Sequence, residues 1–197
     1  MAVSLFARQG YHGTSMKDIA SALNMRAPSL YNHLESKQQL LREVMVDNME
    51  ELQRNVDAAI STADDTVTQL RRATEAHVLY QALHPDVIRI GNREIPSLDE
   101  PDRTKLLKQR AKYARMWTAM IERGIEEGVF DTPSPKLTAF GILDMGIGVA
   151  NWFHVDGEMT AGEIAMRYGD IALRMVGAHG DTAAVGGSEP PRDHQGR

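Results

Sequence analysis

The chain has 197 residues, 42% of them apolar, and a formal net charge of −5, enough for one or two compact domains with a real core. It holds no cysteine and 11 methionines, which excludes a disulfide framework and a thiolate metal site and suits a reducing cytoplasm. No apolar run reaches the roughly 20 residues that a membrane helix needs, and no signal peptide opens the chain. The charge is unevenly divided. Residues 1–46 carry five Lys and Arg against three Asp and Glu, whereas 47–197 carry 17 against 24. A basic head and an acidic remainder suit a protein whose first segment alone meets phosphates.

The first readable punctuation is Gly10-Tyr11-His12-Gly13, where two glycines allow a sharp turn. Thr14 or Ser15 then caps a short helix, in which Met16, Ile19, Ala20 and Leu23 form one apolar face. Asn24 ends it, because Asn tolerates the left-handed conformation of a tight interhelical turn. Pro28 opens a second short helix with Leu30 and Leu34 on its inner side. Two short helices, one tight turn and a polar outer face describe a helix-turn-helix whose second helix enters the DNA major groove. Arg26 can pair with guanine or phosphate, Ser29 and Asn32 can bond base edges, and Ala27 can meet a thymine methyl. Tyr31 and His33 can reach phosphates, and Ser36 with Lys37 can form a phosphate clamp at the start of the next helix.

Thr14-Ser15, Ile19-Ala20, Leu30-Tyr31, His33, Ser36-Lys37 and Leu40, in that order and spacing, resemble the DNA-binding domain of the TetR family of one-component transcriptional regulators. This segment departs from the family pattern at Asn24, where Gly is usual, at Arg26, where Ser or Thr is frequent, and at Leu34, where Phe is usual. Met1 to Phe6 are similar to the second half of that family's first helix, without its basic lead-in, which points to a late start codon or a short member. The resemblance implies an all-α fold with a three-helix DNA-binding head at 1–46 and a helical effector-binding and dimerisation body at 47–177.

One amphipathic helix is expected from Lys37 to about Ile60, a lever between head and body. A capped turn at Ser61 to Asp65 precedes a helix from about Thr66 to Leu83, ended by His84-Pro85. Asp86 caps a short helix to about Asn92, and Arg93 to Pro101 is a loop. A long helix begins at Asp99 or Glu100 and stops at Gly128. Two final helices span about Pro135–Val155 and Thr160–Gly177, and the Gly- and Pro-rich tail over 178–197 reads as disordered.

No catalytic motif follows residue 46, and no cofactor is expected. Gly146-Ile147-Gly148 lies inside an apolar helix, and His77 and His84 lack a carboxylate at ligand spacing. The final helices offer Phe140, Leu143, Ile147, Ala150 and His154, then Ile164, Tyr168, Ile171 and Met175, as a seam. In the resembled family such helices pair as a four-helix dimer interface, which would supply the two reading heads of a palindromic site. Between head and seam an effector cavity is expected. Its candidate apolar lining is Tyr80, Leu83, Ile88, Met116, Trp117, Met120, Met145, Trp152 and Phe153, shared with Phe140 of the seam. The polar candidates are Arg89, Asn92, Glu94, Arg110 and Tyr113. Ile90 to Glu94, with Arg110 and Gly124 to Phe130, are similar to TetR-type regulators of fatty-acid and steroid breakdown, which answer to acyl-CoA thioesters.

These readings converge on a cytoplasmic homodimeric repressor of double-stranded operator DNA, released by a small hydrophobic or acyl-CoA-like effector, with no membrane partner. Two alternatives stay open on the residues alone. One is a helical enzyme or small-molecule binder whose helix-turn-helix is only architecture; the other is a DNA binder without an effector.

Overall fold

The computed structural model describes residues 2–178, so the tail read as disordered lies, from 179 onward, outside the described residues. Every regular element among them is helical. The head holds α1 (Ala2–Gln9), α2 (Met16–Ala22) and α3 (Ala27–Tyr31). The connecting arm is α4 (Lys37–Arg42), a π-helical turn (Glu43–Asp47) and α5 (Asn48–Ile60). The body holds α6 (Thr66–Leu83), α7 (Pro85–Arg93), a 3₁₀ turn (Ile95–Ser97), α8 (Asp102–Glu126), α9 (Pro135–Trp152) and α10 (Ala161–Met175).

Local chemistry explains most boundaries. Ser15, not Thr14, caps α2, and it shares a capping box with Asp18. Asn24 takes φ +55°, the left-handed turn expected of it. Ser36 caps α4 by accepting from the Gln39 N–H. Thr160 and Glu163 form a second capping box at the start of α10. Past the end of α8, Gly128 at φ +73° turns the chain so that Phe130 folds back onto Gly124, where a Cβ would come within 2.0 Å of the ring. Only glycine at 124 lets that ring seal the end of the body's core.

Three expected boundaries are corrected. His84 rather than Asp86 is the N-cap of α7, with Pro85 in its first turn. The helix expected from Asp99 or Glu100 begins at Asp102, behind Pro101. And α9 stops at Trp152, not Val155.

The arm is the larger departure. It is read from its stripe as one regular helix, but widens into a π turn where Val44, Met45 and Val46 are all buried in succession. Three consecutive residues cannot share one face of a helix, so their common burial means that protein surrounds the arm here. The head's core, built on Phe6, Ile19, Leu30 and Leu41, continues through this turn into Ile90, Leu98 and Leu106 of the body. The boundary drawn at residue 46 thus runs through packed side chains. A second core lies between α5, α6, α8 and α9, with Trp117 fully buried near its centre. A smaller third core joins α6 to α10 through Val78, Val149 and Ile164.

Candidate functional site

On the head, α3 keeps Leu30 inside and leaves Arg26, Ser29 and Tyr31 exposed, with Asn32 and His33 in the turn that follows. Arg26 is the N-cap of α3, and its side chain makes no capping bond. Ala27 and Pro28 form the first turn behind it. These are the polar donors and acceptors that a groove-reading surface needs. Two residues named for DNA contact are corrected to internal roles. Thr14 is 1% exposed and its Oγ1 donates to Gly10 O at 2.8 Å. Lys37 donates to the carbonyls of Tyr11 (2.9 Å) and Thr14 (3.0 Å) and lies over the Tyr11 ring. The Tyr11 carbonyl also accepts the turn bond from the Thr14 N–H at 3.3 Å, and Lys37 adds a second donor there while serving the Thr14 carbonyl. Ser15 stays exposed at the start of α2.

A polar clamp ties the head to the body. Arg93, at the end of α7, donates to Phe6 O at 2.7 Å and to the Glu94 carboxylate at 3.0 Å. Glu94 accepts from the Tyr11 N–H at 3.3 Å and from the Ser97 hydroxyl at 2.9 Å. Burial opposes its ionisation, but the bonds from Ser97, the Tyr11 N–H and Arg93 outweigh it and hold the carboxyl below its usual value. Gln38 of α4 donates to Ser97 O at 2.7 Å, so the arm joins the same clamp. Glu94 is therefore corrected from a cavity residue to a buried clasp. Sequence spacing offered no hint of this, since its partners lie up to 83 residues away.

Directly behind the clamp lies a cavity of about 220 Å³. Tyr80, Ile88, Asn92, Arg110 and Tyr113 line it. Phe140, Leu143 and Ile147, expected at the seam, line it too. The π turn contributes Val44 and Met45, and α6 contributes His77 and Gln81, none of which was foreseen. Arg110 donates to Gly91 O at 2.7 Å and to Asn92 Oδ1 at 3.3 Å. It forms no ion pair among the described residues. Burial pulls its pKa down, yet a guanidinium stays charged in any protein. A half-buried guanidinium without a carboxylate partner keeps donors that an anion can use.

The remaining cavity candidates fall elsewhere. Trp117 and Met120 are core, and Met116 packs against that core from its edge. Leu83 is exposed, and Arg89 donates to Ala150 O at 2.9 Å, tying α7 to α9. Phe153 belongs to the core under α10. Met145 and Trp152 lie on the outer side of α9, Trp152 beside Tyr168 with ring centroids 6.5 Å apart. The expected seam is corrected in the same sense. Leu143, Ala150 and Ile164 are buried within one chain, whereas Phe140, His154, Ile171 and Met175 are exposed and Tyr168 is half-buried. The outward strip of α9 is Leu137, Gly141, Met145, Gly148 and Trp152, and Met175 adjoins it from α10 at Gly141. The α9 helix is apolar all round, so periodicity could not say which side faces in.

Residues 63–176 match the family described as tetracyclin repressor-like, C-terminal domain, and residues 1–44 match bacterial regulatory proteins, tetR family. The chain belongs to the TetR family. It is 26% identical over 176 residues to the HTH-type transcriptional repressor KstR2 of Rhodococcus jostii, covering 88% of this chain and 86% of that one. The TetR family transcriptional regulator PfmR of Thermus thermophilus superposes with a TM-score of 0.79 at 32% identity, covering 88% and 94% of the two chains. AibR, solved in complex with isovaleryl coenzyme A and operator DNA, superposes with a TM-score of 0.77 at 25% identity over 90% and 95%. TetR-family proteins are transcriptional regulators. No helix among the described residues is long and apolar enough to cross a membrane.

If the exposed side of α3 reads DNA, its contacts divide by chemistry. Asn32→Ala is expected to relax preference at one base step, losing about 1–3 kcal/mol of discrimination there. Tyr31→Ala is expected to weaken binding to all sequences alike. A salt titration combined with a panel of altered operators separates the two, and equal loss of specificity from both would contradict the assignment.

Proposed function

We propose that this TetR member is a cytoplasmic repressor that grips operator DNA as a homodimer and lets go when an acyl-CoA thioester enters the cavity. The observation that carries the ligand class is Arg110, charged, half-buried and facing an otherwise largely apolar cavity without a carboxylate partner. A largely apolar chamber that carries the Arg110 cation, with the exposed Asp144 carboxylate on its wall but not paired to it, suits a ligand with an apolar part joined to an anionic one. At about 220 Å³ the chamber holds the acyl portion only, since enclosing a whole drug-sized ligand takes roughly 300–1,000 Å³. The nucleotide portion would stay at the mouth. That AibR binds isovaleryl coenzyme A and operator DNA supports the same reading.

Release follows from what the cavity touches. Gly91 and Asn92, which hold Arg110, immediately precede the clamp residues Arg93 and Glu94. A ligand that draws Arg110 away frees the end of α7, and Val44 and Met45 feel the same occupant through the π turn. Both routes end in the head, so the two recognition helices change separation and miss successive grooves. Moving from mostly bound to mostly released requires the ligand to favour the released state by about 5.5 kcal/mol. No step of this makes or breaks a covalent bond, which sets the reading apart from a helical enzyme.

A gel shift on the DNA upstream of the protein's own gene, with and without short-chain acyl-CoAs, tests the proposal. Arg110→Met is expected to leave operator binding intact and weaken the acyl-CoA response about tenfold or more, the loss of one charge-assisted contact. Release that is indifferent to Arg110 would point to another ligand class, and failure to bind any upstream palindrome would remove the repressor reading.

A further inference from the structure

The cavity carries a buried polar group that no described residue satisfies. Gln81 lines it at 1% exposure, and its Oε1 has no hydrogen-bond partner. Two other buried side-chain atoms lack partners, Gln109 Oε1 and Trp117 Nε1, but neither residue lines the cavity. The neighbours of Gln81 determine how its amide is turned. Burial pushes the His77 pKa down to about 4, so the ring is neutral at pH 7. Its Nε2 lies 3.3 Å from the Leu143 carbonyl, which can only accept. The single ring proton therefore sits on Nε2, and Nδ1 presents a bare lone pair. That lone pair faces the Tyr113 hydroxyl at 3.0 Å and Gln81 Nε2 at 3.5 Å. A flipped amide would set two acceptors against each other. The donor end of Gln81 must face the histidine, which leaves the acceptor end unserved.

Burying a carbonyl without a donor is costly, and a cavity wall is where a ligand can supply one. The rest of the wall explains why a single donor suffices. Val44, Met45, Leu52, Ile88, Leu143 and Ile147 offer only apolar contact. Tyr80 already bonds Asn48, Tyr113 faces His77, Arg110 faces Gly91 and Asn92, and the Asp144 carboxylate is exposed and solvated.

We propose that Gln81 Oε1 is the specificity-determining acceptor for a hydroxyl on the acyl group, so that the effector is a hydroxyacyl thioester rather than a plain alkanoyl one. This rests on the acyl-CoA reading above. A site built to bond a hydroxyl rejects the analogue that lacks it, because the protein group is then buried without a partner.

The test is direct titration of hexanoyl-CoA, 3-hydroxyhexanoyl-CoA and 6-hydroxyhexanoyl-CoA into the wild-type protein and Gln81→Leu, with thermal melting to confirm that each folds. The wild type is expected to bind at least one hydroxyacyl thioester about tenfold more tightly than hexanoyl-CoA, the worth of one neutral hydrogen bond. In Gln81→Leu that preference disappears while hexanoyl-CoA still binds; Gln81→Met serves if the leucine variant does not fold. Equal affinities in the wild type, or a preference for hexanoyl-CoA, overturn the proposal and mean that solvent serves the amide oxygen. A hydroxyl preference that survives both substitutions overturns it as well, since another group then reads the hydroxyl. Binding of none of the three removes the acyl-CoA reading itself, a failure distinct from the others.

Discussion

Ile171→Asp is expected to leave a folded chain that runs as a single copy and binds its operator about 100- to 10,000-fold more weakly. Ile171 lies on the outer face of α10, and with Met175 and the Leu137–Trp152 strip of α9 it forms an apolar surface that nothing among the described residues covers. On the dimeric reading a partner covers it, and a carboxylate placed there would be stranded in the joint. The cost to DNA binding is lost avidity rather than a lost contact. One head then holds one half-site without the effective concentration that linkage to a second supplies, which is worth the factor quoted. Light scattering and a gel shift on the same samples read both effects. Leu107→Asp is the control, because Leu107 is equally prominent in exposure, at 49%, but sits on α8 away from this strip. A dimeric Ile171→Asp with full operator affinity would place the joint elsewhere.

Arg93→Ala is expected to preserve operator binding and effector binding while cutting the coupling between them, by up to about 150-fold. Arg93 touches neither DNA-facing residue nor cavity; it holds the end of α7 to the carbonyls of Phe6 and Ala7 in α1. Removing it leaves Glu94 with Tyr11 and Ser97, so the head stays docked but no longer follows α7. The measurement is operator affinity with and without saturating ligand; in the variant the two values should approach each other. Unchanged coupling would assign transmission to the π turn alone. Acid gives an independent handle on the same clamp. The Glu94 carboxyl is held below its usual value, so its contribution is fully present above the ordinary glutamate range and fades as pH falls through its folded value.

Much of the head was legible in the sequence because its rules are local. Ser15, Asn24, Pro28 and Ser36 act within four residues of themselves, through caps, a left-handed turn and a preset φ. Helical period likewise separated Leu30 and Leu34 from Arg26, Ser29 and Tyr31. Thr14 and Lys37 were misjudged for a physical reason. Both are polar, and polarity does not say whether the donor meets solvent, phosphate or a carbonyl of its own chain.

The sequence by itself determined the order of the helices, most of the stops between them and the basic head. Only the tertiary structure decided which side of α9 faces the cavity, because a helix apolar around its whole circumference carries no angular signal. The same holds for the Arg93–Glu94 clamp, the widened turn of the arm and the unserved oxygen of Gln81. Each depends on partners brought together from distant parts of the chain, and no periodicity or spacing encodes a contact of that kind.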